Sequence, residues 1–137
     1  MLNTVSAESH RDAVAVHRSR TTITVTTTAE HATVAISGDI DLAVTTRVRE
    51  RLEEELWLHP AALIIDLDDV AFCSSGGLSV LLDVVTAAHA RGIPCALIAA
   101  RRAVVRPIRL LRLDRVLPLH ADRADAEKWL SLLRRLR

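Results

Sequence analysis

The chain has 137 residues, of which 50% are hydrophobic and 2% aromatic, and its formal net charge at pH 7 is +1. This length suits one domain with a sizeable core, whereas the near-neutral charge and the scarcity of aromatic rings argue against nucleic-acid binding. No segment approaches the roughly 20 apolar residues that cross a bilayer, and the N-terminus lacks the basic start and apolar core of a secretory signal. We therefore expect a cytoplasmic protein that binds neither nucleic acid nor membrane.

The N-terminal part of the chain divides into an extension and a hairpin. Residues 1–20 are polar and mixed in charge with little periodicity, so we expect a mobile extension. Residues 21–28 are dominated by β-branched side chains and predict a first strand. Residues 32–36 predict a second strand, which pairs with the first as a hairpin. A single domain then extends from residue 21 to residue 137.

The segment Ser37-Gly38-Asp39-Ile40-Asp41 is expected to end the second strand and to begin a helix, with Asp41 as the N-cap. One apolar stripe along this helix recurs at every fourth residue: Val44, Val48, Leu52 and Leu56. His59-Pro60 ends the helix, because the residue before a proline is pushed out of the α region.

Residues 61–67 form an apolar run that is typical of a parallel strand covered on both faces, and Asp68-Asp69 is expected to end it. A second helix is predicted from about Ser75 to Arg91, with Gly92 just past its C-terminus. Residues 93–99 then predict a fourth strand, again continuous in its apolarity.

Six arginines lie between Arg101 and Arg115, and we interpret them as the solvated face of a helix. Pro107 is unfavourable inside that helix, so we expect the helix either to begin near Arg106 or to kink. Residues 116–119 predict an edge strand and residues 122–136 a last helix. The whole order predicts an α/β fold: a mixed, mostly parallel sheet of about five strands with about four helices.

The junction between the third strand and the second helix carries two serines and two glycines. A helix start offers free amide groups and the positive end of the macrodipole, which together favour an anion. Ser75 is therefore placed either to cap the helix or to carry a phosphate. Gly76 and Gly77 add no side chain that would hinder the approach of another protein. Because parallel strands end at one edge of a sheet, Asp39 to Asp41 should lie beside this junction.

The run Phe72-Cys73-Ser74-Ser75-Gly76-Gly77-Leu78 resembles the phosphorylation loop of STAS domains, specifically of the bacterial anti-sigma factor antagonists. Gly38-Asp39-Ile40-Asp41 resembles the Gly-Glu-Leu-Asp signature of the same family. The resemblance extends over roughly residues 21–137 and implies a STAS domain with Ser75 as phosphoacceptor. It implies a partner-binding surface made of Asp39, Asp41, Ser74, Ser75, Gly76 and Gly77. Ser74 stands where the family usually has aspartate.

This resemblance implies an anti-sigma factor antagonist. Such a protein binds an anti-sigma factor that is also a serine kinase, frees a sigma factor, and is switched off when its serine is phosphorylated. A phosphatase is expected to reverse the switch, a homodimer is left open, and no cofactor is expected because the ATP belongs to the kinase. The alternative is a STAS scaffold inside a larger signalling or transport assembly, bound but never phosphorylated.

The sequence predicts no enzyme and no metal site. A hydrolase elbow needs glycine two places before its serine, where Phe72 or Cys73 stands here. His89 and His120 are interpreted as packing or surface residues, and the histidines lack metal-type spacing. Cys73 would be a redox-sensitive thiol if it were exposed. A disulfide with Cys95 is not expected, because the two cysteines should lie at opposite ends of the sheet.

Overall fold

The computed structural model of the protein describes residues 21–136, so the expectation made for residues 1–20 lies outside the described residues. Five strands form one sheet in chain order: β1 Thr22–Thr27, β2 Ala32–Ile40, β3 Leu63–Cys73, β4 Cys95–Ile98 and β5 Leu119–His120. The β1–β2 pair is antiparallel, and each later neighbour is parallel to the one before it. The expected hairpin and the mostly parallel sheet are both confirmed.

Four helices connect and cover these strands: α1 Thr45–Trp57, α2 Ser75–Ala90, α3 Arg102–Leu110 and α4 Arg123–Arg135. The predicted order of strands and helices is confirmed, and a 3₁₀ turn at Leu113–Arg115 is added to it. Gly92 adopts a positive φ of 70° just past α2, which is the backbone conformation expected of a residue that ends a helix.

The sheet buries both of its faces, as continuous apolar strands require. Leu63, Ile65 and Leu67 of β3 belong to a large core cluster that also includes residues of α1, α2 and α3. Ile64, between them in sequence, belongs to a smaller cluster with Ala126 and Leu130 of α4. Because successive side chains of a strand point to opposite faces, β3 contributes to both layers of the core.

The strands that lead into the predicted site are longer than the sequence predicted. β2 continues through Gly38 to Ile40, and Asp68-Asp69 does not end β3, which continues to Cys73. The two extensions pair with each other, with register shifts between Ala35 and Ser37 and between Gly38 and Asp39. Pairing with a neighbouring strand therefore outweighs the low strand propensity of glycine and aspartate.

The arginine-rich segment also differs from the prediction. α3 begins at Arg102 rather than near Arg106, and Pro107 lies inside it. Val104 and Ile108 are fully buried in the large core cluster, so their packing holds the helix despite the hydrogen bond that proline cannot donate. The last strand begins at Leu119, because residues 113–115 form the 3₁₀ turn.

Candidate functional site

The two segments singled out in the sequence meet at the carboxyl ends of β2 and β3. Asp39 is the register partner of Phe72, and Ile40 is the register partner of Cys73. The backbone N–H of Ser74 donates to the carbonyl of Ile40 at 2.8 Å. Segments more than thirty positions apart are thus joined by backbone hydrogen bonds, as the topology predicted.

Ser74, not Ser75, is the N-cap of α2. Ser74 has an extended backbone (φ −71°, ψ 168°), and its Oγ accepts a hydrogen bond from the N–H of Gly77 at 3.0 Å. Ser75 is the first residue of the helix, is exposed, and makes no side-chain hydrogen bond with any described residue. Of the two roles that the sequence left open for Ser75, the geometry removes the capping role and leaves the hydroxyl accessible.

The two glycines of the loop have different surroundings. A Cβ atom added at Gly77 would lie 2.8 Å from both Cys73 Sγ and Ile40 Cγ2, so the helix start is pressed against buried side chains. A Cβ atom at Gly76 would lie 3.4 Å from Leu42 Cδ2, an ordinary contact. Gly77 is therefore needed for packing, whereas a Cβ atom at Gly76 would make only ordinary contacts.

Asp41 caps a turn rather than a helix. Its Oδ1 accepts from the N–H of Ala43 at 3.0 Å, but α1 begins only at Thr45 with Val44 as its N-cap, so the predicted capping of α1 by Asp41 is wrong. Asp41 is exposed and Asp39 is half-buried. The Asp41 carboxylate thus lies in the turn between β2 and α1, whereas Asp39 is the last residue but one of β2.

The backbone of Asp39 is fixed by residues that the sequence analysis did not single out. Its carbonyl accepts from the hydroxyl of Thr21 at 2.6 Å, and Arg47 donates to the carbonyl of Thr21 at 2.9 Å. These contacts join β1, β2 and α1, and no local pattern signals them. They hold the Asp39 strand end in place.

Two exposed apolar side chains border the loops. Leu42 is 77% exposed and Phe72 is 48% exposed. Phe72 was part of the motif, but Leu42 was missed, although an apolar residue directly after a turn-forming Asp41 was a usable signal. Together with Gly76 they give the surroundings of Ser75 an apolar character, which suits contact with another protein.

Both cysteines are free and buried. Burial raises the pKa of Cys73 to about 11 and that of Cys95 to about 12, so little thiolate forms at neutral pH. The redox hypothesis for Cys73 required an exposed thiol, and the structure argues against it. Cys73 pairs with the end of β2, and Cys95 pairs with Leu63 at the start of β3, so the two cysteines lie at opposite ends of the sheet.

Within residues 21–136, neither His89 nor His120 is hydrogen-bonded to Ser74 or Ser75. His89 lies in the last turn of α2, about 20 Å along the helix from Ser75 at 1.5 Å per residue. His120 Nδ1 lies 3.0 Å from Asp125 Oδ2, and its ring packs against Trp129. Among residues 21–136 no cluster of three or more His, Cys, Asp or Glu residues is arranged to hold a metal ion. Within the same range, no helix combines the length and apolarity of a membrane span.

Comparison with known proteins identifies the domain. The STAS domain family model matches residues 22–126. The anti-sigma-F factor antagonist RsfB of Mycobacterium tuberculosis is 34% identical over 107 residues, which cover 76% of this chain and 86% of that protein.

Solved structures of anti-sigma factor antagonists have the same fold as this chain. An anti-sigma factor antagonist from Mycobacterium paratuberculosis superposes with a TM-score of 0.71 at 28% identity, covering 81% of this chain and 94% of that one. The antagonist SpoIIAA in its unphosphorylated form gives a TM-score of 0.65 at 14% identity, with 82% and 96% coverage. Phosphorylated SpoIIAA of Bacillus gives 0.58 at 13% identity, with 84% and 99% coverage. At these identities the two SpoIIAA structures support the fold.

Proposed function

The chain belongs to the STAS domain family, among the anti-sigma factor antagonists, and from that premise we propose that it binds an anti-sigma factor and is switched off by phosphorylation of Ser75. The observation that carries the proposal is the exposed hydroxyl of Ser75 at the first position of α2, hydrogen-bonded to no described residue. It lies beside the Asp39–Asp41 turn, within reach of any protein that contacts both loops.

Phosphorylation would change binding more than folding. The kinase transfers the γ-phosphoryl group of its ATP to Ser75 Oγ, which loses its proton, and ADP leaves with the kinase. The phosphoserine carries about −1.5 to −2 charges at pH 7. The macrodipole of α2 stabilises a negative charge at this position by roughly 0.3 to 1 kcal/mol, so we expect the helix to remain folded. A partner packed against Ser75 would have to bury that anion near Asp39 and Asp41, at a cost of several kcal/mol.

The serine at position 74 is compatible with this mechanism. Its hydroxyl accepts from Gly77 N–H, which satisfies the free amide that a capping aspartate would otherwise satisfy. Ser74, Gly76 and Gly77 therefore shape the contact surface, with Asp39 and Asp41 on its other side. Ser74 differs from an aspartate by one negative charge beside the acceptor.

The proposal makes the chain a regulator without catalytic activity or cofactor of its own. The partners are the anti-sigma factor with serine kinase activity and a phosphatase that restores Ser75, and the site of action is the cytoplasm.

Ser75→Asp and Ser75→Ala test the switch against the candidate anti-sigma factor from the same genome. We expect Ser75→Ala to bind as the wild type does and Ser75→Asp to bind at least tenfold more weakly, the equivalent of about 1.4 kcal/mol. Incubation with the same partner and ATP should add one phosphoryl group at Ser75, located by mass spectrometry. Ser131, exposed on α4 at the opposite face of the sheet, is the control: Ser131→Asp should not change binding.

A second function is favoured by Ser74 in place of aspartate: a STAS scaffold that binds its partners constitutively. Tight binding without phosphate at Ser75, together with equal affinities of Ser75→Asp and Ser75→Ala, would establish the scaffold and exclude the switch.

A further inference from the structure

A groove lies at the end of the sheet opposite Ser75, and we call it the apolar groove. It has a volume of about 740 Å³ and is bounded by the C-terminal halves of α2 and α4 and by the segments that lead into β4 and β5. Cys95 lines it and pairs with Leu63 at the start of β3, whereas Ser75 follows the far end of β3. Most of the lining residues are apolar. This volume and lining are typical of a site for a small molecule.

The apolar groove combines exposed hydrocarbon at its rim with packed side chains beneath. Val116 and Leu136 line it and are 49% and 81% exposed. Cys95 also lines it but is buried in the large core cluster. The ring of Trp129, a third lining residue, packs against His120 at a centroid distance of 5.1 Å. The groove therefore has a fixed aromatic wall, and an apolar occupant would remove exposed hydrocarbon from water.

Arg115 places a positive charge at the apolar groove. Its side chain is exposed and makes neither an ion pair nor a hydrogen bond with any residue in the range 21–136. Among the described residues, no Asp or Glu lines the groove, and Asp114 lines a separate groove with Arg109. A guanidinium that no acid neutralises offers two parallel N–H donors to a carboxylate. The groove thus favours an anion where Arg115 lies.

Larger occupants match these features less well. A two-fold dimer through the apolar groove would place Arg115 and its apolar neighbours against the same residues of the other copy. No acidic lining residue of the described chain would then meet either charge. A peptide that adds as a strand needs the edge of a sheet, whereas this groove lies at the ends of strands. A small anion with an apolar body matches both the charge and the lining.

We propose that the apolar groove binds a small amphipathic carboxylate. The carboxylate pairs with Arg115, and the apolar chain or ring lies against Trp129 and Leu133, which line the same groove. This inference goes beyond the proposed function, because the site lies at the other end of the sheet and requires neither Ser75 nor the anti-sigma factor. Decanoate carries both chemical features and is the probe.

The test is a titration of the full chain with decanoate. Trp57→Phe leaves Trp129 as the single tryptophan, so its fluorescence reports on the apolar groove. We expect a saturable change in emission below the concentration at which decanoate forms micelles. Nuclear magnetic resonance is the second measurement, and it should show amide shifts confined to Gly92, the turn at Arg115 and the C-terminal half of α4.

Variants in the Trp57→Phe background separate the charge from the apolar lining. Arg115→Gln should weaken decanoate binding at least about tenfold, because it removes a charge-assisted pair, and should leave the binding of decanol unchanged. Val116→Gln/Leu136→Gln changes two exposed side chains and should weaken the binding of both ligands. Arg102→Gln is the matched control, since Arg102 is exposed on α3 outside the groove. The melting temperature of each variant verifies folding.

Absence of saturable decanoate binding in both measurements would overturn the inference, and so would decanoate binding that Arg115→Gln leaves unchanged. Self-association in sedimentation that Val116→Gln/Leu136→Gln abolishes, without decanoate binding, would assign the groove to a second copy and overturn it as well. Ser75→Asp should bind decanoate as the wild type does, so the result is independent of the proposed switch.

Discussion

Gly76 and Gly77 are neighbours in sequence but differ in the space around them. Gly77 faces Cys73 Sγ and Ile40 Cγ2, and neither side chain has free space to move, since Ile40 is fully buried and Cys73 nearly so. Gly76 faces Leu42, which is largely exposed. The resemblance marks both positions as small, but only the structure separates a packing requirement from an open approach to Ser75.

Gly77→Ala should lower the free energy of unfolding by about 1 to 3 kcal/mol, because the added methyl group overpacks the helix start. Gly76→Ala is the matched control and should be neutral or stabilising by up to about 1 kcal/mol, since alanine is the better helix former. Thermal and urea unfolding of both variants measure the difference. Equal losses in the two variants would contradict the assigned packing.

The start of α2 is the element on which the proposed switch depends. Ser74 satisfies one of the free amides of the first turn, and its own N–H is held by Ile40. In the proposed switch, Ser74 caps the helix and the adjacent Ser75 accepts the phosphate. The helix can keep its cap while Ser75 changes its charge.

Ser74→Ala should cost about 1 kcal/mol of stability, the usual loss when a capping hydroxyl is removed. Ser74→Asp should keep the cap and add up to about 1 kcal/mol through the helix dipole. Ser79→Ala is the control, because Ser79 is exposed in the helix interior and should change stability little. Urea unfolding gives the three values, and an unaffected Ser74→Ala variant would show that the cap is not needed.

Element order and type could be predicted from the sequence, because apolar periodicity is strong in α1, α2 and β3. The ends of β2 and β3 could not, since Gly38, Asp39, Asp68 and Asp69 are locally typical of turns and become strand only because β2 pairs with β3 there. The start of α3 was also predicted wrongly, because Pro107 locally disfavours a helix around it. Burial of Val104 in the core stabilises the first turn of α3 despite that preference. The position of Ser75 was predicted, whereas Thr21 and Arg47 act through contacts that no local pattern indicates.

At the scale of the molecule, one sheet supports both core clusters. β3 and β4 contribute to each cluster, with Leu97 on one face and Ala96 and Ile98 on the other. The two layers of the core therefore share their central strands. Unfolding of β3 and β4 would disrupt both clusters. Small single domains of this kind unfold cooperatively.

Trp57 on α1 and Trp129 on α4 report on opposite faces of the sheet. We expect Trp57→Phe, which leaves Trp129 as the fluorescent probe, to show the same urea midpoint by fluorescence and by far-ultraviolet circular dichroism. Separate midpoints for the two probes within one variant would show that α4 detaches before the rest of the domain.

The N–H of Ser74 donates to the carbonyl of Ile40, and Phe72 and Cys73 pair with Asp39 and Ile40, so the backbone that leads into Ser75 is held by its neighbouring strand. If Ser75 is phosphorylated as proposed, we expect no change of shape at a distant face of the domain. A protein that distinguishes the phosphorylated from the unphosphorylated form should therefore contact the N-terminus of α2 directly. Amide exchange should be equally slow in the phosphorylated and unphosphorylated protein and should differ only when the partner is bound. That result would show that the partner recognises the phosphate by direct contact.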